Sequence, residues 1–179
     1  MQVISDVEGR QAEIVALFVQ TFTASEGEED AALIGGLVRA LLADGAGSDV
    51  VAYLAQEEGR FVGAAIFSRL SYAADPRHVM ILSPMAVASD RQGRGIGQRL
   101  LTEALAALQA GGVDVAVTYG DPAFYGKVGF RPVTQDVVPA PLPLGQPEGW
   151  IAQSLSGEAL TPLRGACRCA PALADPAFW

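Results

Sequence analysis

Residues 79–108 combine an apolar strand, a glycine-rich turn and an amphipathic helix, and this segment constrains the fold more than any other. From Val79 to Ala88 nearly every residue is apolar, which predicts a central strand that is covered on both faces. Pro84 lies inside this strand and cannot donate a backbone hydrogen bond, so we expect the strand pairing to be interrupted there. The backbone groups that the interruption leaves unpaired need another partner.

The helix after the turn is predicted to begin near Gly95. An earlier start, with Ser89 and Gln92 as a capping box, would place three glycines in the first turns at about 1 kcal/mol each. Glycines at a helix entrance let backbone N–H groups surround an anion, and the helix dipole favours a phosphate there. The apolar stripe of the helix consists of Ile96, Leu100, Leu101, Ala104, Leu105 and Leu108.

The spacing of the glycines separates the possible kinds of phosphate-binding loop. A Rossmann pattern fails because the glycines lie at 93, 95 and 97, and a Walker loop fails because no Gly-Lys-Ser/Thr ending is present. The pattern Gln92-x-x-Gly95-x-Gly97 directly after an apolar strand resembles the acyl-CoA pyrophosphate loop of the GNAT superfamily of N-acetyltransferases. Further along, the run Phe124-Tyr125-x-Lys127-x-Gly129-Phe130 resembles the second motif of that superfamily.

Hydrophobic periodicity over the whole chain predicts the element order β-α-α-β-β-β-α-β-α-β, an α/β (α+β) arrangement with a mixed sheet and helices on both faces. The resemblance implies a GNAT-like fold, in which the central sheet is mostly antiparallel. Glu57–Gly59 predicts a hairpin between two strands. Asp121, Pro122 and Gly129 predict a short helix from Pro122 to Val128, because they suit its cap, its first position and its end.

The resemblance covers residues 1–133, which we expect to form the acyl-CoA-binding domain. Residues 134–179 are predicted to form a proline-rich loop and a C-terminal extension that packs on the same domain. The segment from Ala172 to Trp179 is apolar, so we expect it to pack on the domain or to form a homodimer. The extension and the Gly-Asp-Pro-x-Phe-Tyr form of the second motif resemble the YhbS-like branch of predicted acetyltransferases.

Composition limits the class of partner. A net charge of -8 and a pI near 4.5 argue against nucleic acids and anionic membranes, and they favour cationic small molecules. We interpret Cys167 and Cys169 as small buried or edge residues, and His78 cannot complete a usual zinc site with them, so we expect no metal. Without a leader-like segment or a stretch of about 20 apolar residues, the sequence predicts a cytoplasmic protein.

The resemblance implies acetyl-CoA as the cosubstrate and gives roles to both motifs. The phosphates would contact the glycine-rich loop, and the pantetheine amides would pair with the strand edge, where a backbone N–H near Met85 would donate to the acyl oxygen. Tyr125 would be the general acid for the departing thiolate, although from the residues alone it can also be a packing aromatic. The implied cofactor-binding residues are Met85, Ala86, Val87, Gln92, Gly93, Arg94, Gly95, Ile96, Gly97, Gln98, Phe124 and Lys127.

An acidic segment between the first two helices is the candidate for binding the amine. Glu26, Glu28 and Glu29 would attract a cation, and they also suit a solvated loop and a negatively charged first helical turn. The general base stays open among these glutamates, Asp121 and a water held by the backbone. The central strand carries no carboxylate between residues 79 and 87, which favours a water or an amine that arrives neutral.

The sequence therefore predicts an N-acetyltransferase that moves an acetyl group from acetyl-CoA to an amine of a small molecule or peptide by direct attack. One alternative is a regulatory module that binds acyl-CoA without Tyr125-dependent thiol release. The other is a protein-interaction domain that associates through its apolar tail and binds no nucleotide. The identity of the acceptor, the length of the acyl chain and the oligomeric state stay open.

Overall fold

The computed structural model describes residues 1–5, 7–44 and 49–179, and within them the chain forms four α-helices and eight strands. The chain also contains short 3-10 turns at residues 89–91, 126–128, 147–149, 171–173 and 176–178. The elements are β1 (Gln2–Ile4), α1 (Gln11–Ser25), α2 (Glu28–Asp44), β2 (Val50–Glu57), β3 (Arg60–Tyr72), β4 (Asp75–Val87), α3 (Ile96–Ala110), β5 (Val115–Tyr119), α4 (Pro122–Tyr125), β6 (Arg131–Pro132), β7 (Trp150–Ser154) and β8 (Cys167–Arg168).

The strands form one sheet in the order β1-β2-β3-β4-β5-β7-β6, and β8 pairs with β3. The pairs β1–β2, β3–β8, β5–β7 and β6–β7 are antiparallel, whereas β4 and β5 are parallel. The prediction of a mixed, mostly antiparallel sheet is therefore confirmed. The hairpin predicted at Glu57–Gly59 joins β2 to β3, and its two central residues are left-handed, with φ of 49° at Glu58 and 81° at Gly59.

The chain divides into two compact units, of which unit 1 comprises residues 1–67 and 83–104. Helices α1 and α2 each bury one apolar face, whereas Leu33, which the sequence predicts to lie on the buried face of α2, is 37% exposed. Gly63 of β3 allows a close approach, since a Cβ there would lie 3.4 Å from the Ala86 carbonyl oxygen and 3.4 Å from the Leu100 side chain. Buried side chains of this unit include Ile14, Phe18, Leu41, Leu54, Ile66 and Leu100.

Unit 2 comprises residues 68–82 and 105–179. Within it the C-terminal segment is held by hydrogen bonds to main-chain oxygens: the Tyr72 hydroxyl donates to Pro139 (2.9 Å), and the Trp150 indole N–H donates to Val138 (2.7 Å). The ring of Trp179 lies 5.9 Å from that of Trp150, so the apolar end of the chain packs within its own unit. A boundary at residue 133 and a homodimer through the tail stay predictions.

The two cysteines lie at the edge of the sheet in unit 2. Cys167 is paired with Tyr72 in the β3–β8 ladder, and both cysteines are free thiols that are half-buried. Burial raises the pKa of Cys167 to about 11, so its thiol is protonated at neutral pH and is a poor nucleophile. These observations agree with the interpretation of the pair as edge residues.

We expect truncation of Leu41, which is fully buried on α2, to lower the free energy of unfolding by about 2–5 kcal/mol, because Leu41→Ala leaves a cavity. The matched control is Leu33→Ala on the same helix, whose residue is 37% exposed and which should cost under about 1 kcal/mol. Urea denaturation followed by circular dichroism measures both. Equal losses for the two variants would contradict the assignment of the buried face.

Candidate functional site

The glycine-rich loop connects β4 to α3, and α3 begins at Ile96, as the sequence predicts. Gly93 and Gly95 have φ of 73° and 76°, a backbone conformation that side chains other than glycine rarely adopt. A Cβ at either position would meet nothing within 4 Å. The glycines are therefore required by the path of the backbone, which leaves open space above the loop.

The backbone N–H groups of this loop lack acceptors. The first N–H of α3 that donates within the chain is that of Arg99, to the Gly95 carbonyl oxygen at 3.0 Å. Among the described residues no hydrogen bond is made by the N–H groups of residues 93–98. Unpaired N–H groups and the positive end of a helix dipole at one place form a site for an anion such as a phosphate.

Side chains around the loop hold its shape. The Gln92 side-chain amide donates to the Val87 carbonyl oxygen at 3.0 Å, which ties the loop to the end of β4. Arg60 of β3 donates to both carboxylate oxygens of Asp90, at 3.0 and 3.2 Å. Arg91 lies 3.7 Å from Glu57, so two ion pairs attach the turn before the loop to the β2–β3 hairpin.

The predicted cofactor-binding residues of the loop differ in which of their groups are accessible to a ligand. The Ile96 side chain is buried, so only its backbone N–H is accessible to a ligand. Gly97 is buried and Gln98 is half-buried. Arg94 is exposed and forms no ion pair with a described residue, whereas Arg99 is paired with Glu103 at 2.9 Å. Arg94 is therefore the loop cation that can meet a phosphate.

The strand that precedes the loop has the predicted interruption. The parallel pairing of β4 with β5 joins Val79–Leu82 to Val115–Thr118 and ends there, before Pro84. Beyond it, Met85 and Val87 are half-buried and Ala86 is buried. The Val87 carbonyl oxygen already accepts the hydrogen bond from Gln92, so this end of the strand is shaped by the loop.

In unit 2, Tyr125 lies on the short helix α4, which the sequence predicts. The carboxylate of Asp121 caps it by accepting the Ala123 N–H at 2.8 Å. The Tyr125 ring meets the rings of Phe124 and Phe130 edge-on, at centroid distances of 5.0 and 5.8 Å. A Cβ at Gly120 would lie 2.7 Å from the Tyr125 ring, so the absence of a side chain there makes room for this ring.

Burial raises the pKa of Tyr125, a hydrogen bond with the side chain of Thr118 lowers it in part, and the Asp121 charge adds to the increase. The net effect keeps the hydroxyl protonated near neutral pH, as a proton donor requires. Thr118 is fully buried, and its own hydroxyl donates to the Leu82 carbonyl oxygen at 3.0 Å. Thr118 is not among the predicted site residues, although a polar residue in an apolar strand is a signal for it.

Of the four acidic residues proposed as the general base or as amine-binding groups, only Asp121 makes a side-chain hydrogen bond to a described residue. Glu26 follows α1, and Glu28 and Glu29 lie in the first turn of α2, where negative charge is favourable. These three residues are exposed, and among the described residues nothing pairs with their carboxylates. Asp121 uses a carboxylate oxygen as the cap of α4.

Lys127 is exposed on the turn after α4. Across the described ranges no cluster of three or more His, Cys, Asp or Glu residues is placed to hold a metal ion. In the same residues no helix has the length and apolar character needed to cross a bilayer. A cytoplasmic location stays a prediction.

The comparisons with known proteins agree on one family. Residues 48–132 match the model of the acetyltransferase (GNAT) domain. The chain is 34% identical over 139 residues to the uncharacterized N-acetyltransferase YjhQ of Escherichia coli strain K12, an alignment that covers 75% of this chain and 76% of YjhQ. The chain therefore belongs to the GNAT family of N-acetyltransferases, and the predictions of the family and of the class of enzyme are confirmed.

Solved structures with this fold include two complexes with a coenzyme. The Escherichia coli GNAT protein YhbS in complex with CoA has a TM-score of 0.84 at 22% identity, with 99% of this chain and 93% of that chain covered. A GNAT acetyltransferase from Brucella melitensis in complex with acetyl-CoA has a TM-score of 0.74 at 24% identity, with 96% and 97% covered. At these identities the likeness confirms the predicted GNAT fold.

We expect Gly120→Ala to lower the free energy of unfolding by about 1–3 kcal/mol, because the new methyl group overlaps the Tyr125 ring. Gly126→Ala is the matched control, since Gly126 is right-handed helical and the nearest atom to its Cβ would be 3.9 Å away. That variant should be neutral or more stable by up to about 1 kcal/mol. Thermal and urea unfolding measure both, and a neutral Gly120→Ala would contradict the described packing.

Proposed function

We propose that the protein transfers the acetyl group of acetyl-CoA to an amine of a small molecule or peptide by direct attack. The observation that carries this proposal is the row of unpaired N–H groups at the start of α3, held open by two left-handed glycines. Family membership and the CoA and acetyl-CoA complexes of proteins with the same fold support it.

The loop would bind the pyrophosphate of acetyl-CoA. The N–H groups of Gly93–Gly97 would donate to phosphate oxygens, with Arg94 as an additional cation. Gln98 would add contact on the first turn of α3. This assignment needs no basic surface, which fits a chain with a net charge of -8. The pantetheine amides would pair with the backbone of Met85, Ala86 and Val87, and the Met85 N–H would donate to the acyl oxygen as negative charge develops on it.

Tyr125 is proposed as the general acid. The amine nitrogen attacks the thioester carbonyl carbon, the carbon–sulfur bond breaks, and the Tyr125 hydroxyl gives its proton to the thiolate. Solvent then returns a proton to the tyrosinate. Phe124 packs against the Tyr125 ring, and the hydrogen bond with Thr118 would help to fix the hydroxyl. Lys127 is proposed to contribute positive charge near the coenzyme.

The amine has to lose a proton as it attacks. Asp121 is committed to its cap, so we propose that a water molecule accepts this proton and that Glu26, Glu28 and Glu29 attract the cationic amine. Replacement of all three by glutamine should then raise KM for the amine and leave kcat unchanged.

We expect Tyr125→Phe to lower kcat about 100-fold or more, because it removes the proton donor while the ring is retained. The dissociation constant for acetyl-CoA should stay within about twofold, since the hydroxyl is not part of the phosphate site. The measurement is amine-dependent release of the CoA thiol, with calorimetry for binding. In wild type, the fall in kcat that reports loss of the Tyr125 proton should occur at a higher pH than an ordinary tyrosine would give, because burial raises the pKa of Tyr125.

Tyr53→Phe is the matched control, since it removes the hydroxyl of another buried tyrosine and should leave kcat unchanged. Full activity of Tyr125→Phe would exclude this residue as the acid. Binding of acetyl-CoA by wild type without thiol release for any amine would favour the regulatory module instead. Absence of both binding and release in the folded protein would exclude the proposed function.

A further inference from the structure

A cavity of about 350 Å³ lies beside the end of β5, within unit 2. Three aromatic residues and three glycines contribute to its walls: Tyr119, Phe178, Trp179, Gly120, Gly145 and Gly149. None of the side chains that line it is charged. A lining of aromatic rings and bare backbone is suited to a flat aromatic group.

The aromatic walls are held by a buried tryptophan. The ring of Trp150 lies 6.3 Å from that of Tyr119 and 5.9 Å from that of Trp179. Trp150 is itself fixed, since it is 1% exposed and its indole N–H donates to the Val138 carbonyl oxygen. The Trp179 indole N–H donates to the Leu173 carbonyl oxygen at 2.8 Å, which fixes the ring in the wall of the cavity.

The rest of the wall is shaped by backbone. The carboxylate of Asp175 accepts the Ala177 N–H at 2.9 Å and so fixes the turn that carries Phe178. A Cβ at Gly149 would lie 3.3 Å from the Tyr119 ring, so glycine lets this loop approach closely. The Tyr119 hydroxyl accepts the Gln146 N–H, and its own proton has no acceptor among the described residues. One donor is therefore free at the wall of the cavity, beside the aromatic rings.

The size of the cavity fits one aromatic ring with a short arm. A cavity of about 150 Å³ is enough to hold benzene, so about 350 Å³ leaves room for a ring and a chain of a few atoms. An aromatic ring of a ligand that packs edge-on or offset against the aromatic walls is stabilised by more than the burial of its apolar area.

Gly120 is adjacent both to the cavity and to the Tyr125 ring. Gly120 lines the cavity, and a Cβ on the same residue would lie 2.7 Å from the Tyr125 ring. The cavity therefore adjoins the ring edge of Tyr125 at Gly120, and an amine two or three carbons from a ring seated in the cavity can extend past Gly120.

We propose that this cavity binds the aromatic group of the amine acceptor, so that the preferred acceptor is a primary amine with an aromatic ring on a short alkyl arm. The inference rests on the proposed function and adds a class of acceptor to it. The C-terminal segment then determines acceptor specificity.

The test is calorimetric titration of the full chain, in the presence of CoA, with 2-phenylethylamine and with n-butylamine. We expect 2-phenylethylamine to bind at least tenfold more tightly, because n-butylamine has no ring to fill the cavity. Trp179→Ala should weaken binding of 2-phenylethylamine at least tenfold and leave that of n-butylamine within twofold. In the acetylation assay the same variant should raise KM for the aromatic amine and leave kcat nearly unchanged.

Two variants separate this effect from a loss of folding. Trp179→Phe keeps a ring in the wall and should retain most of the affinity, and Leu160→Ala truncates an apolar side chain of a different cavity and should have no effect. Equal affinity for the two amines, no measurable binding of 2-phenylethylamine, or an unchanged affinity in Trp179→Ala would overturn the inference.

Titration of acetyl-CoA in the same series distinguishes failure of the cavity assignment from failure of the proposed function. If acetyl-CoA binds and the aromatic amine does not, the cavity assignment is wrong and the acetyltransferase proposal stands. If the aromatic amine binds and the protein neither binds acetyl-CoA nor releases thiol, the cavity is a binding site and the proposed function is wrong.

Discussion

The left-handed backbone at Gly93 and Gly95 is the constraint on which the site depends. It turns the chain out of β4 and into α3, and the first N–H groups of the helix have no acceptor among the residues that the structure describes. In a chain with a net charge of -8, the long-range field repels anions. A phosphate can therefore be held only by local dipoles and a nearby cation, and we propose Arg94 as that cation.

The contacts around the loop differ in what they contribute. The ion pair between Arg60 and Asp90 is about half exposed, so solvent screens it, and its main effect is to fix the turn on the hairpin. Burial of Leu100 and Leu101 anchors α3 more strongly, since each buried leucine is worth about 1.5–3 kcal/mol. The loop thus lies between a helix fixed by its core and a strand end fixed by Gln92.

How far the sequence predicts the site depends on how local each signal is. The start of α3 and the cap of α4 follow from residues that lie next to each other, since glycine inside a helix is costly and Asp121 precedes a proline. Thr118, and the ion pair of Arg60 with Asp90, need partners that come together only in the folded sheet. The contact of Trp179 with Trp150 could not be predicted for the same reason. An apolar tail predicts burial, but it does not identify the surface on which the tail packs.

The central claim is that the unpaired N–H groups of the loop bind the pyrophosphate of acetyl-CoA. Titration of the ¹⁵N-labelled protein with acetyl-CoA, with assigned amide resonances, tests it most directly. The account predicts that the largest shifts fall on the amides of residues 93–97, and that inorganic pyrophosphate moves the same amides at higher concentration. Shifts confined to other parts of the chain, or no shifts in a folded protein, would contradict it.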